Sequence, residues 1–534
     1  MTLRDQLDAS RRQSFAGMDM PWLLEQWVAR APDKPFMIWA PFVGAEAVWT
    51  FRDLQQQARR IAAGLHARGV GAGDFVIIHL DNSPEFVLAW FACAELGAVA
   101  VSTNTRSVAR DLSYFAGHTR AVAAITQPAF AALIDEACAD LRFVAVTDND
   151  AGEPGAAPTG GRFLAFADLQ IVDAELPALG REPMRPLSVQ FTSGTTSRPK
   201  AVLWTHANGL WAGKASASHM RLRHDDVTLV FLPLFHTNAQ GYAMLATLWS
   251  GGTMVLQPKF SASRFWPVSL AHRVTWCSTI PFAFKALMGQ PVPDHHYRFW
   301  GTAAHLPKVS AHFRVPTIGW WGMTETLTQG IVSDVDHPGP HASLGRAAPE
   351  YDIQLRRADG TLAGPGEKGH LYIRGVRGVS LFQEYYGNPE ANDKAFDADG
   401  WFDTGDVVRM DEDGWLFFSD RDKDMLKVGA ENVAASEIES VILQTGLVQE
   451  CAVVAQKHYM LDEVPVAFVI PSPDAPGSIR DDIVAHCRRN LADFKVVREV
   501  HVVDELPRST LEKVAKQVLR DRLAPITGDG AGRG

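Results

Sequence analysis

A chain of 534 residues is longer than one apolar core supports, so at least two domains are expected. Its composition, 46% hydrophobic and 21% charged, is that of an ordinary globular protein, and the formal net charge of −10 argues against nucleic acid or an anionic membrane surface as a partner. The opening MTLRDQLDASRRQ lacks the apolar core of a leader, and the longest apolar run, residues 86–101, is broken by Glu95 and Gly97 and falls short of the roughly 20 residues a membrane span needs. Cys93, Cys138, Cys277, Cys451 and Cys487 are scattered without a CxxC pair, which predicts reduced thiols, no zinc site and a cytoplasmic address.

Along the chain, Leu54, Ala58, Ile61, Ala62 and Leu65 share one helical face, and Gly69 ends that helix. Residues 76–80 read as a strand. Ser83 caps the next helix, with Pro84 in its first turn, and the helix runs through Phe86, Val87, Trp90, Phe91 and Ala94 to a stop at Gly97. Strands over 98–101 and 121–125 flank a helix near 108–116. This alternation predicts a mostly parallel sheet clad in helices. Residues 148–161, DNDAGEPGAAPTGG, read as a surface loop.

Short apolar runs at 187–191 and 201–204 bracket a Ser/Thr-rich segment, and a second α/β unit follows, with strands near 228–232, 253–256 and 274–280. After Gly345, strands at 351–356, 370–373 and 415–419 separated by Asp-Gly turns predict a small β-rich subdomain. The charged run 420–424 marks a junction. Beyond it, helices near 435–443 and 479–491 and strands at 451–455 and 464–470 make a compact α+β segment, with a fraying Gly-rich tail over 527–534. The expected fold class is α/β: a large N-terminal domain, residues 1–422, holding two α/β subdomains plus the β-rich one, and a small α+β C-terminal domain, residues 423–534.

Five stretches carry chemistry. FTSGTTSRPKAVLWTH, residues 191–206, sets Thr192, Ser193, Thr195 and Thr196 around Gly194 and ends on Lys200. Backbone N–H groups and hydroxyls in such a loop can wrap phosphate oxygens, with the lysine adding positive charge. The spacing differs from GxxxxGK[ST], so a P-loop NTPase is disfavoured. Pro233-Leu234-Phe235-His236 puts His236 at a strand end. Trp320-Trp321-Gly322-Met323-Thr324-Glu325 joins a flat aromatic surface to a hydroxyl and a carboxylate, suited to a purine and to Mg²⁺ beside phosphates. Gly400-Trp401-Phe402-Asp403-Thr404-Gly405-Asp406 presents Asp406 on a Gly turn as an acceptor for ribose hydroxyls. Last, Arg421-Asp422-Lys423-Asp424 and Lys513 supply basic groups on both sides of the second domain. Taken singly, each has an ordinary reading as a turn, a core aromatic pair or a solvated charged face.

Taken as a set, TSGTTSRPK, WGMTE, GWFDTGD and DRDKDMLK resemble the adenylate-forming superfamily of acyl- and aryl-CoA synthetases, luciferases and peptide-synthetase adenylation domains. FTSGTTSRPK and KFSASRFW are most similar to crotonobetaine/carnitine-CoA ligase-like enzymes. The resemblance implies an ATP-dependent ligase that joins a small carboxylic acid to coenzyme A through an acyl-adenylate, using Mg²⁺, with a mobile C-terminal domain and Lys423 at the hinge. The alternatives are an adenylating enzyme with a non-CoA acceptor and a non-catalytic nucleotide-binding relative.

It further implies Lys513, Thr196, Glu325 and His236 as catalytic residues, with Thr196 and Glu325 on the metal. Thr192, Ser193, Gly194, Thr195, Thr196 and Lys200 would grip phosphates. Ala303, Gly319, Trp320 and Trp321 would border adenine, Thr324 would lie by the α-phosphate, Asp406 and Arg421 would bind ribose, and Lys427 would approach the nucleotide in one orientation. Lys259, Gly429 and Ala430 would meet CoA, and His236, Asn238, Tyr242, Trp320 and Gly322 would line the acyl pocket. The chain departs from the family pattern at Ser197, at Trp321 (usually tyrosine), at Ala430 in the pantetheine tunnel and at Glu512 before Lys513. A homodimer is open; nucleic-acid partners and integral membrane segments are not expected.

Overall fold

The computed structural model describes residues 3–172, 175–192, 199–421, 425–429, 431–507 and 514–526. Two large sheets lie at its centre. In the first, the strands Val99–Ser102, Phe75–His79, Ala123–Thr126, Phe143–Val146 and Phe163–Ala165 run parallel, and Pro186–Thr192 joins them in parallel beside Val99–Ser102. Lys200–Thr205 and the edge strand Glu384–Tyr385 extend that sheet antiparallel. In the second, Thr317–Trp321, Phe299–Thr302, Trp276–Ser278, Val227–Val230, Thr253–Leu256 and Pro35–Trp39 are parallel, with antiparallel strands at both edges.

Local chemistry explains the covering helices. The helix Pro84–Leu96 starts where the Ser83 hydroxyl accepts from the Phe86 N–H, and it stops at Gly97, whose φ of 71° is open to glycine. All its residues but Glu85 are buried, as an apolar helix without a polar face must be. Burying side chains such as Phe86, Trp90 and Phe91 stabilises the fold by roughly 1.5–3 kcal/mol each. The helix Phe51–Ala67 begins with a reciprocal Thr50–Asp53 capping box. Residues 148–161, expected as plain loop, contain a two-stranded ribbon, Asn149–Asp150 with Glu153–Pro154. Ala151 and Gly152 take its positive-φ turn, a conformation that composition alone did not reveal.

A four-stranded antiparallel sheet follows: Asp352–Arg356, Lys368–Arg374, Phe402–Met410 and Leu416–Arg421. Asp406 therefore sits within a strand rather than on the expected turn. The ladder sets Thr404, Gly405 and Asp406 against Leu371 alone, and Gly405 at φ 71° makes that bulge. Thr404 Oγ1 donates to the Leu371 carbonyl at 2.7 Å and accepts from the Asp406 N–H at 3.1 Å, which fixes the bulge's shape.

The last sheet combines Met425–Val428, Glu431–Ala434, Val448–His458, Asp462–Pro471 and Glu499–Val502, with its own apolar core around Val433, Ile438, Ile442, Val453, Val469 and Ile483. Within it, Lys495 Nζ lies 2.6 Å from Glu437 Oε1, both side chains about nine-tenths buried. Burial alone would depress the Lys495 amine, but Glu437, helped by Asp111 and Glu431, outweighs it and the pKa stands above the usual lysine value. Lys495→Met strands the Glu437 carboxylate and is expected to remove about 3–5 kcal/mol of stability in urea unfolding. Adding Glu437→Leu should recover most of that loss.

Candidate active site

The carboxyl ends of the second sheet's parallel strands open into a cavity of about 1080 Å³. His236 and Thr237 follow Val227–Val230, Thr279 and Ile280 follow Trp276–Ser278, Ala303 follows Phe299–Thr302, and Trp320 to Gly322 end Thr317–Trp321. The opposite wall comes from Phe402 to Asp406 and Phe418, and Lys427, Gly429, Asn432 and Glu463 of the last sheet close one side. Thr192, Lys200 and Tyr385 arrive from the first sheet. Elements distant in sequence thus share one space large enough for two substrates.

At the first sheet's edge, Thr192 and Lys200 are ladder partners on adjoining strands. Lys200 Nζ stands 4.4 Å from the centre of the Tyr385 ring. The Tyr385 hydroxyl donates to Glu325 Oε1 at 2.8 Å, and Trp204 Nε1–H donates to the Thr324 carbonyl at 3.0 Å. Burial, reinforced by Glu325, lifts the Tyr385 phenol well above its usual range, so it remains a donor. Glu325 is 3% exposed. A cation, a phenol and a carboxylate are thus set in line.

Across the cavity, Trp321 Nε1–H donates to Asp406 Oδ2 at 2.7 Å. That bond aims the carboxylate which the Gly405 bulge brings to the wall. Arg421 stands opposite Asp406 in the ladder. Gly319 is buried and does not line the cavity; a Cβ there would come within 2.2 Å of the Ser343 carbonyl, so its bareness lets Ala342 and Leu344 reach the wall. Gly301 has a similar part, since a Cβ there would collide with the Trp320 indole.

At the third end, the π-helical segment Asn238–Leu245 presents Asn238 and Tyr242 to the cavity, and the Tyr242 and Trp320 rings meet edge to face at 5.9 Å. His236 Nε2 lies 3.2 Å from Glu431 Oε1 in the last sheet, and the Asn104 amide donates to the same oxygen at 3.1 Å. Burial works against the His236 imidazolium, yet Glu431 outweighs it and the pKa stands above the ordinary histidine value. Burial would likewise raise Glu431, but His236 holds it below the usual carboxylate range.

Of the expected site residues, Thr192, Lys200, His236, Asn238, Tyr242, Ala303, Trp320, Trp321, Gly322, Thr324, Glu325, Asp406, Lys427 and Gly429 line this one cavity. Lys259 is exposed between Thr253–Leu256 and Ala262–Ala271 and is not part of the wall. Ser193, Gly194, Thr195, Thr196, Ser197, Lys423, Ala430, Glu512 and Lys513 lie outside the described residues. Sequence reasoning missed Tyr385, Glu431 and Asn104. Tyr385 stands in an unremarkable EYYG run, and Glu431 was passed over beside Ala430; neither has a local signal, because their partners are far away in the chain.

The His236–Glu431 pair joins the last sheet to the cavity rim and is charged only between the lowered carboxylate pKa and the raised imidazolium pKa. The His236 contribution is complete below the ordinary value of 6.5 and fades as pH climbs through the raised one. The Glu431 contribution is lost as pH falls through its lowered pKa. Small-angle scattering should show the last sheet leaving the rim as buffer is taken from neutral to alkaline, and Glu431→Gln should flatten that dependence.

The family model described as AMP-binding enzyme matches residues 24–386, and that described as AMP-binding enzyme C-terminal domain matches residues 437–513. The chain is 34% identical over 494 residues to crotonobetaine/carnitine–CoA ligase of Escherichia coli, covering 88% of this chain and 93% of that one. Among solved structures, a doubly substituted o-succinylbenzoate CoA synthetase from Bacillus subtilis bound with its product analogue superposes at a TM-score of 0.82, with 25% identity over 95% of this chain and 100% of that chain. The same enzyme in complex with AMP gives 0.67, at 25% identity over 95% and 99%. The chain belongs to the AMP-binding enzyme family, and the class of its reaction is that of the AMP-forming acid–thiol ligases.

Proposed function

We propose that this enzyme activates a small carboxylic acid with MgATP and passes the acyl group to coenzyme A. A carboxylate oxygen attacks the α-phosphorus, the bond to the bridging oxygen breaks, and pyrophosphate leaves. The CoA sulfur then attacks the acyl carbon, the carbon–oxygen bond to phosphate breaks, and AMP leaves. One observation carries this reading: the Lys200–Tyr385–Glu325 series, the Trp321–Asp406 pair and the Asn238–Tyr242 face share a single cavity.

Charge supports the same assignment. Among the described lining residues the carboxylates Glu325, Glu390, Asp403, Asp406 and Glu463 outnumber the lysines Lys200, Lys394 and Lys427. A bare triphosphate would be repelled, so the nucleotide enters with its cation. No cluster of three or more His, Cys, Asp or Glu among the described residues could hold a metal by itself. That suits Mg²⁺, which arrives on phosphates and takes one or two carboxylates, here Glu325.

The roles inferred for residues 193–196 and Lys513 complete the neutralisation, since attacker, transferred group and leaving group are all negative. Asp406, with Arg421, takes the ribose hydroxyls. Lys423 is the hinge between residues 1–422 and 423–534, and Gly429, Ala430 and Lys259 serve CoA. The higher similarity to the product-analogue complex supports a docked arrangement proper to the thioester step, with the last domain turning about Lys423 for adenylation. No described helix is long and apolar enough to cross a membrane. A cytoplasmic address and a homodimer belong to the same proposal.

Pyrophosphate exchange and CoA-dependent AMP release, measured over a panel of carboxylic acids, test the reading. Exchange with no acid at all removes it. Lys513→Ala is expected to lower exchange by about 10²–10³ while synthetic acyl-adenylate still yields thioester with CoA. Trp321→Phe keeps an aromatic ring, though a smaller one, and deletes the donor to Asp406; it should raise KM for ATP about tenfold with a smaller change in kcat.

A further inference from the structure

Resting on the ligase reading, the acyl end of the cavity carries a mark of its substrate. Tyr242 is 4% exposed and lines the cavity, and its hydroxyl makes no hydrogen bond to any described residue. Burial keeps that phenol protonated. Asn238, four residues earlier on the same π-helical face, lines the same space, and its buried Oδ1 also lacks a partner among the described residues. A phenol that lines the cavity and a buried carboxamide oxygen beside it, both without protein partners among the described residues, are expensive to desolvate unless a ligand satisfies them.

The neighbourhood narrows the ligand's chemistry. Thr237, Thr279, Ile280, Trp320 and Met323 share the cavity, and none of them is acidic. His236, whose pKa stands above the ordinary value, is the nearest titratable group along the chain. A remote ammonium would meet no counter-charge from these residues. An alkyl tail would leave the phenol and carboxamide dry and unpaired. Space is limited as well, because a Cβ on Gly322 would come 2.3 Å from the Tyr242 hydroxyl oxygen. The hydroxyl therefore fills the room that the bare glycine provides.

We propose that the acid activated by this enzyme carries an uncharged oxygen function, hydroxyl or carbonyl, remote from its carboxylate, and that the Tyr242 hydroxyl binds it with the Asn238 carboxamide alongside. Tyr242 is then a specificity-determining residue.

The test compares kcat/KM for CoA-dependent AMP release between straight-chain alkanoic acids and equal-length acids bearing one hydroxyl or keto oxygen, and between benzoate and its hydroxy derivatives. The wild-type enzyme should favour the best oxygenated acid over its plain counterpart by at least about tenfold. Tyr242→Phe should bring that ratio close to unity. Because the ratio is taken within one preparation, loss of folded protein cancels. A wild-type preference for the plain acid, or a ratio unchanged in Tyr242→Phe, overturns the inference while the ligase reading stands. AMP release with none of the acids overturns the ligase reading, and this inference with it.

Discussion

Asn208 sits in the first turn of the helix His206–His219, wholly buried, and each of its polar groups is engaged. Its Oδ1 accepts from the Thr205 N–H at 3.0 Å, and its amide donates to the Val379 and Leu381 carbonyls, both at 2.8 Å. Thr205 Oγ1 adds a bond to the Gly378 carbonyl at 2.5 Å. Breaking any of these leaves a buried polar group unpaired, a penalty of about 1–3 kcal/mol. The segment after Gly378 is therefore pinned against the strand Lys200–Thr205, and the edge strand Glu384–Tyr385 follows in register. Tyr385 can then stand beneath Lys200 and reach Glu325. The fold itself sets the spacing of cation, phenol and carboxylate, and such preorganisation is what charge stabilisation in a low-dielectric cleft requires.

What was legible in the sequence was local. Ser83, Pro84 and Gly97 announced a helix and its two ends because capping and positive φ are decided within one turn of chain. The ordered motifs around Lys200, Glu325 and Asp406 were legible because each is short and rich in particular residue types. Asp406 shows where this reading stops: GWFDTGD looks like a turn, yet three of its residues bulge within a strand, and only pairing with Lys368–Arg374 decides that. Tyr385, Asn104 and Glu431 have the same character. Their importance rests on partners 60, 327 and 195 positions away, and no periodicity records such distances.

His236 is one of several contacts that join the last sheet to the rest of the molecule, and it also faces the cavity. It lines the cavity and also pairs with Glu431, the first residue of a strand in the last sheet. Arg106 with Asp493 and Lys285 with Asp462 join the same two bodies at partly exposed positions, where ion pairs contribute little. The His236 contact differs in being largely withdrawn from water on the Glu431 side, and the Asn104 amide holds that carboxylate in place. Docking of the last sheet and the wall of the cavity therefore share one imidazole. A substrate that moves His236 must also disturb Glu431, so the coupling runs in both directions.

The Tyr242 end of the cavity shows how a missing side chain can shape polarity as well as volume. Gly322 by itself suggests a roomier pocket. In the fold its bare Cα admits the Tyr242 hydroxyl, so the space gained at one residue is taken by a polar group from another. Any side chain at position 322 would displace that hydroxyl or strike the Thr328 carbonyl. Tyr242 is held from the opposite direction by the Trp320 indole, whose own placement needs Gly301 bare on the adjoining strand. Gly301 on the strand Phe299–Thr302 and Gly322 just past Thr317–Trp321 therefore fix one phenol, and through it the cavity wall gains a hydrogen-bonding group.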